Sequence, residues 1–179
     1  MEITHHQGEE PQRMLVERSA TIDQPVDRVF DYVSTPENDP TWVPASLRHE
    51  MLSPAPMRVG SITEEDVSFL GRHMLYAWQI TQYEPPTAFA LRSFSGPIPA
   101  TIRVLLESLD VARTKIILVA EVRLRGVYKP MELVMRLVAR RQFGTQLRTL
   151  KNLLESESPC QGCSWRRSTL SSCTLWRYY

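Results

Sequence analysis

Cysteine is scarce in this chain and poorly placed to brace a fold. All three, Cys160, Cys163 and Cys173, fall in the last twenty of 179 residues, so no disulfide can staple the body and a packed core must hold it. Cys160-Gln-Gly-Cys163 has the CxxC spacing of a zinc knuckle or redox pair. A structural zinc site needs four ligands, and only Cys173 is near, with no histidine after His73. Charge of one sign is also lacking: the formal net charge is +1, which gives no electrostatic reason to expect nucleic acid or an anionic membrane as partner. No apolar run approaches the length that spans a bilayer. The polar start, Met-Glu-Ile-Thr-His-His-Gln-Gly-Glu-Glu-Pro, lacks the apolar stretch of a signal peptide, so the expected compartment is the cytoplasm. There is no Gly-rich phosphate loop, no HExxH and no Ser/His/Asp order. Nothing calls for a cofactor or a metal.

What is present is period. Ala20 to Trp42 reads as a strand end at Ile22, then Pro25 in a position that suits the first turn of a helix. Asp23 or Gln24 is placed to cap that turn. Val26, Val29, Phe30 and Val33 recur at helical spacing, Thr35-Pro36 stops the helix, and a second short turn ends at Trp42. Met14–Ile22 reads as a first strand. Further strands are expected over 47–52, 61–69, 72–83, 88–95, 101–109 and 114–125, separated by turns rich in Pro and Gly. In the fourth, Met74, Tyr76, Trp78 and Ile80 alternate with His73, Ala77, Gln79 and Thr81, the pattern of a strand with one buried face. In the last, Ile116, Leu118, Ala120, Val122 and Leu124 share a face. Six successive strands joined by short turns predict an antiparallel meander. One long helix then runs from Pro130 to about Glu155, with a stripe of Leu133, Leu137, Gly144, Leu147 and Leu154 and a basic flank of Arg136, Arg140, Arg141, Arg148 and Lys151. Residues 1–12 read as a flexible leader, 13–156 as one domain, and 157–179 as a disordered tail rich in Ser, Cys and Trp.

The order strand, two short helices, six strands and long helix resembles the START/SRPBCC superfamily, the polyketide cyclase/dehydrase-like, helix-grip or pollen-allergen-like proteins. Local motifs add to it. Trp78-Gln-Ile-Thr-Gln-Tyr-Glu-Pro-Pro resembles the family's W-x-V-x-E-Y-x-P-P segment, and Arg92-Ser-Phe-Ser-Gly-Pro its R-S-x-x-G-P. The Leu147-Arg-Thr-Leu-Lys-Asn-Leu-Leu-Glu run is similar to the end of its gripping helix. Ala112-Arg-Thr departs from the usual Gly-Thr of one hairpin. The resemblance implies an α+β helix-grip fold: a curved antiparallel seven-stranded sheet wrapped around a long C-terminal helix, with two short helices after strand 1.

It also implies an internal cavity for a small hydrophobic molecule such as a lipid, quinone or polyketide. By alternation, Tyr76, Trp78, Leu91, Val104, Leu106, Leu118, Val122, Leu137 and Leu147 are the candidates to line it. For chemistry, Tyr76 and Arg92 are weak candidates, since a phenol and a guanidinium can hold an enolate. Of the further polar candidates Asp66, His73, Arg103, Glu107, Glu121 and Arg123, most fall on the expected solvent face. The expectation is therefore a binder for carriage or sensing. The alternatives are a polyketide cyclase/dehydrase-type enzyme in the same cavity, and a protein-interaction module using the helix flank or the tail.

Overall fold

The computed structural model describes residues 12–69, 71–124 and 132–156. The expectations for the leader, the Cys-x-x-Cys segment and the tail lie outside the described residues, apart from the first leader–domain junction at Gln12. Strand β1 (Gln12–Ile22) leads into helix α1 (Val26–Val33), a single 3-10 turn (Pro36–Asn38) and the short helix α2 (Asp39–Trp42). Strands β2 (Ser46–Met51), β3 (Ile62–Phe69), β4 (Arg72–Glu84), β5 (Ala88–Ser95), β6 (Ala100–Asp110) and β7 (Arg113–Leu124) follow, and helix α3 (Glu132–Ser156) is the last element of the described residues. The sheet order is β1-β7-β6-β5-β4-β3-β2, every pair antiparallel. The meander runs in sequence order from β2 to β7, and β1 returns to the far edge beside β7. The sheet is curved, and α3 lies against its concave face. This is the helix-grip arrangement.

The alternation of β4 places Tyr76, Trp78 and Ile80 inward, and that of β7 does the same for Ile116, Leu118 and Ala120. Helix α1 presents Val29, Phe30 and Val33 to the core. Phe30 meets Phe89 edge-on at 6.0 Å and Tyr83 at 5.7 Å, spacings at which aromatic rings attract beyond simple burial. Neither Asp23 nor Gln24 caps α1. Pro25 holds the cap position and its carbonyl accepts the first helical bond, from Val29 N–H at 3.1 Å. Gln24 is buried and turned toward α3 instead, its amide donating to the Leu154 carbonyl at 2.8 Å.

The last turns of α3 are thereby pinned. Leu147, Leu150 and Leu154 enter the main core. Lys151 Nζ donates to the Thr21 carbonyl and to Glu155 Oε1, both at 2.7 Å, and the Asp23 N–H donates to the same carboxylate at 2.8 Å. Partial burial opposes ionisation of Glu155, but these donors hold its carboxyl below the ordinary value. Ahead of Leu147, the inward face changes to Met135, Ala139, Gln142, Phe143 and Gln146. These residues leave the sheet uncovered by close packing, and a cavity opens between them and the strands.

Candidate functional site

The cavity has a volume of about 240 Å³ and its walls are mainly apolar. Tyr76, Trp78, Leu91, Val104, Leu118 and Val122 lie along its wall. Leu106 and Leu147 belong to the packed core, 5% and 3% exposed. Leu137 points outward and is 69% exposed, because the inward face of α3 runs through Met135 and Ala139, two residues out of phase with the Leu133/Leu137 stripe. Arg92 is exposed on β5, next to inward-facing Leu91 on the opposite face of the strand, so it cannot act in the cavity. Tyr76 does line the wall. Its ring stacks on Trp78 with centroids 5.1 Å apart and planes 17° from parallel. Gly96, at φ +138°, brings its backbone close to that ring, where any Cβ would collide.

Three polar residues that sequence reasoning did not single out meet at one part of this wall. Strand register assembles two of them. His49 of β2 pairs with Glu65 of β3, which pairs with Tyr76 of β4; Thr63 pairs with Trp78 one step along. His49, Glu65 and Tyr76 thus form a row across three strands on the inner face. A register shift between Ser46 and Arg48 turns both Ser46 and His49 inward while Leu47 is left outside. The third residue, Asp39, opens α2 and reaches the row from above the sheet edge.

His49 is 4% exposed, and both of its ring nitrogens are engaged: Nδ1 with Asp39 Oδ2 at 2.6 Å and Nε2 with Thr63 Oγ1 at 2.8 Å. An Nδ1–H donated to the carboxylate leaves the Thr63 hydroxyl free to donate to Nε2 when the ring is neutral, or to accept from it when the ring is charged. Glu65 accepts from the Trp78 indole N–H at 3.0 Å. The Trp42 indole and the Ser46 hydroxyl lie close enough to favour the charged forms of Asp39 and Glu65. Neither closes a hydrogen bond of good geometry, so Asp39 Oδ1, Trp42 Nε1 and Ser46 Oγ stay buried without partners.

Burial pushes the Asp39 carboxyl above its ordinary value, against the opposing effects of His49 and Trp42. Glu65 is raised for the same first reason, with His49 opposing and Asp39 adding to it. For His49, burial works against the charged ring, but the Asp39 hydrogen bond and the charges of Asp39, Glu65 and Glu37 outweigh it and the net shift is upward. The cluster is therefore a set of proton-holding groups set into an apolar wall. The same three side chains offer ligand atoms within 4.8 Å of one another. A divalent cation held there would have to displace one of the two hydrogen bonds of the imidazole.

The residues expected on the solvent face are mostly found there. His73 is exposed with its Nδ1 3.5 Å from Asp66, and Lys115 pairs with Glu107 at 3.4 Å. Parity did carry a signal for the missed cluster: Thr63, Glu65, Val67 and Phe69 share the inward face of β3.

The family described as "Polyketide cyclase / dehydrase and lipid transport" matches residues 13–155. No curated protein sequence matches the chain. Among solved structures, the chain is similar to the Zhui aromatase/cyclase from Streptomyces sp. R1128, with a TM-score of 0.72 and 16% identity over 84% of this chain and 99% of that one. A START superfamily protein from Mycobacterium smegmatis matches with a TM-score of 0.69 and 16% identity, over 80% of this chain and 99% of that one. The protein Ara h 8.0201 matches with a TM-score of 0.63 and 16% identity, over 82% of this chain and all of that one. At these identities the likeness is one of fold. Among the described residues no helix is long and apolar enough to cross a membrane.

Proposed function

The chain belongs to the polyketide cyclase/dehydrase and lipid transport family, and from that premise we propose that it binds a small hydrophobic molecule, such as a lipid, quinone or polyketide, reversibly in its cavity for carriage or sensing. The observation that carries this reading is the opening left between the first half of α3 and the concave sheet, walled by Val67, Phe89, Leu91, Ile102, Val104 and Leu118. Burying ten methylenes contributes roughly 8 kcal/mol, against an association cost of about 4–15 kcal/mol. An apolar wall alone therefore supports loose, reversible binding, which suits a carrier or sensor and needs no reacting group. Native mass spectrometry of freshly purified protein tests it. The expected result is a co-purified hydrophobe, or uptake of quinone or lipid probes by the apo protein; a clean apo mass with no uptake of either overturns the reading.

A second reading, a cyclase/dehydrase-type enzyme in the same cavity, is favoured by one specific observation: the buried His49–Asp39 pair beside Glu65. A general base needs a tuned pKa and a position against the ligand, and His49 has a raised pKa and a place on the wall. Turnover of a polyketide mimic that is lost in His49→Gln, with mimic binding retained, supports this reading. Turnover unchanged in that variant removes it.

A further inference from the structure

The polar groups of the cavity wall are not balanced in charge. Among the described residues the lining includes the carboxyls of Asp39 and Glu65, the imidazole of His49 and the amides of Gln142 and Gln146, but no lysine or arginine. The one cationic group is His49, and Asp39 already takes its Nδ1 at 2.6 Å. With both carboxyls ionised, the cluster carries one net negative charge if His49 is protonated and two if it is neutral. Among the described residues, the side-chain hydrogen bond that Glu65 receives comes from the Trp78 indole, and a carboxylate has room for about four. Of the basic side chains of α3, Arg140, Arg141 and Arg148 are exposed, and Arg136 and Lys151 are half-buried but lie outside the cavity lining.

We propose that this cavity recognises its ligand by a hydrogen-bond-donating polar end, a hydroxyl or an ammonium group docked against Glu65, and rejects carboxylates, so that free fatty acids are not its cargo. The inference rests on the container reading above and adds to it the chemistry of the ligand's head. A ligand carboxylate would lose its hydration and gain no counter-charge, and it would face Asp39 and Glu65 across a medium where like charges repel several times more strongly than in water. A hydroxyl or ammonium end finds in Glu65 a carboxylate with acceptor positions that the Trp78 indole does not use. A hydrogen bond to a charged acceptor is the stronger kind. The aromatic rings of Trp42, Tyr76, Trp78 and Phe89 lie in the same wall, and their faces add to the attraction for an ammonium group.

The test uses the full chain and four probes that share a naphthalene body: naphthol, naphthylmethylammonium, naphthoate and methoxynaphthalene. Isothermal titration calorimetry is run at about pH 8, where ordinary carboxylates are ionised. The expected result is that naphthol or naphthylmethylammonium binds at least about tenfold more tightly than naphthoate, and more tightly than methoxynaphthalene, which fills space but cannot donate. The order of the two donors then says whether the head is neutral or cationic. In Glu65→Gln, an amide replaces the carboxylate at nearly constant shape and keeps an acceptor for Trp78. There the donor-to-carboxylate ratio should fall about tenfold. If methoxynaphthalene binds while naphthoate matches or exceeds the donors, the proposed selectivity is wrong and the container reading stands. If no probe binds, both fail. The wild-type ratios alone decide the matter should the variant fold poorly.

Discussion

Removing His49 without removing Asp39 should be one of the most damaging single changes in this protein. Asp39 Oδ2 has His49 as its close partner at 2.6 Å, and Oδ1 has none. The side chain keeps 16% of its surface accessible, and since Asp39 lines the cavity that surface is poorly hydrated. Breaking a buried ion pair from one side typically costs 3–5 kcal/mol. In His49→Leu the stranded carboxyl can take up a proton instead of staying charged, which sets the expectation near the lower end, about 3 kcal/mol. Loss of the Thr63 hydrogen bond is included in that figure. Asp39→Leu leaves the imidazole bonded to Thr63 and able to be neutral, so it should cost less, about 1–2 kcal/mol. The double variant replaces the pair with apolar side chains beside Trp42 and Val43, and it should come within about 1 kcal/mol of wild type. Urea unfolding of all four proteins, with slopes checked for constancy, closes the cycle. A double variant as unstable as the sum of the singles would refute the reasoning, and so would a His49→Leu cost below about 1 kcal/mol.

The pH dependence of stability should carry the same signature. A group with a raised folded-state pKa contributes stability that is present at low pH and lost as pH rises through that folded value. Asp39 and Glu65 are raised by burial and His49 by its carboxylate neighbours, so all three act with one sign. Relative to the variant Asp39→Asn/His49→Gln/Glu65→Gln, wild type should lose urea resistance as pH rises above the ordinary carboxylate range and on through that of histidine; a difference that is flat or rises with pH contradicts the assignment. The two halves of α3 should also respond differently to substitution. Leu150→Ala, at a fully buried core position, should cost about 2–5 kcal/mol in denaturant unfolding. Ala139→Leu fills cavity space and should cost under about 1 kcal/mol while cutting hydrophobic probe uptake severalfold; undiminished uptake would place the ligand elsewhere.

Strand identity and order were legible because the code for a half-covered sheet is local. Met74, Tyr76, Trp78 and Ile80 alternate with smaller or polar residues, and the pleat alone then sets which side faces in. Helix α3 was harder. Its first half faces a cavity, so Ala139, Gln142 and Gln146 face inward while Leu133, Val134 and Leu137 stay exposed. An apolar stripe read as core points the wrong way there. The Asp39–His49–Glu65 cluster was hidden for a different reason. Its members come from a four-residue helix and two strands, and they converge through inter-strand register and a shift at Ser46/Arg48, neither of which has a signature in composition. Glu65 shares its strand face with Val67 and Phe69, so its inward direction could be read; its partners could not.

The seating of Tyr76 bears on how quickly and how tightly the wall can work. Its ring stacks on the Trp78 indole and has the bare backbone of Gly96 close beside it, and Trp78 is itself tethered to Glu65. These contacts restrict the rotamers of that part of the cavity before a guest arrives. The cost of ordering it falls on folding, and the guest meets a finished surface. On the helix side, Met135, Gln142 and Phe143 extend from α3 into the lining, and unbranched Met135 and Gln142 can change rotamer to fit a guest. A guest entering here meets an aromatic face already ordered by folding, set against the more adaptable thioether and amide of Met135 and Gln142.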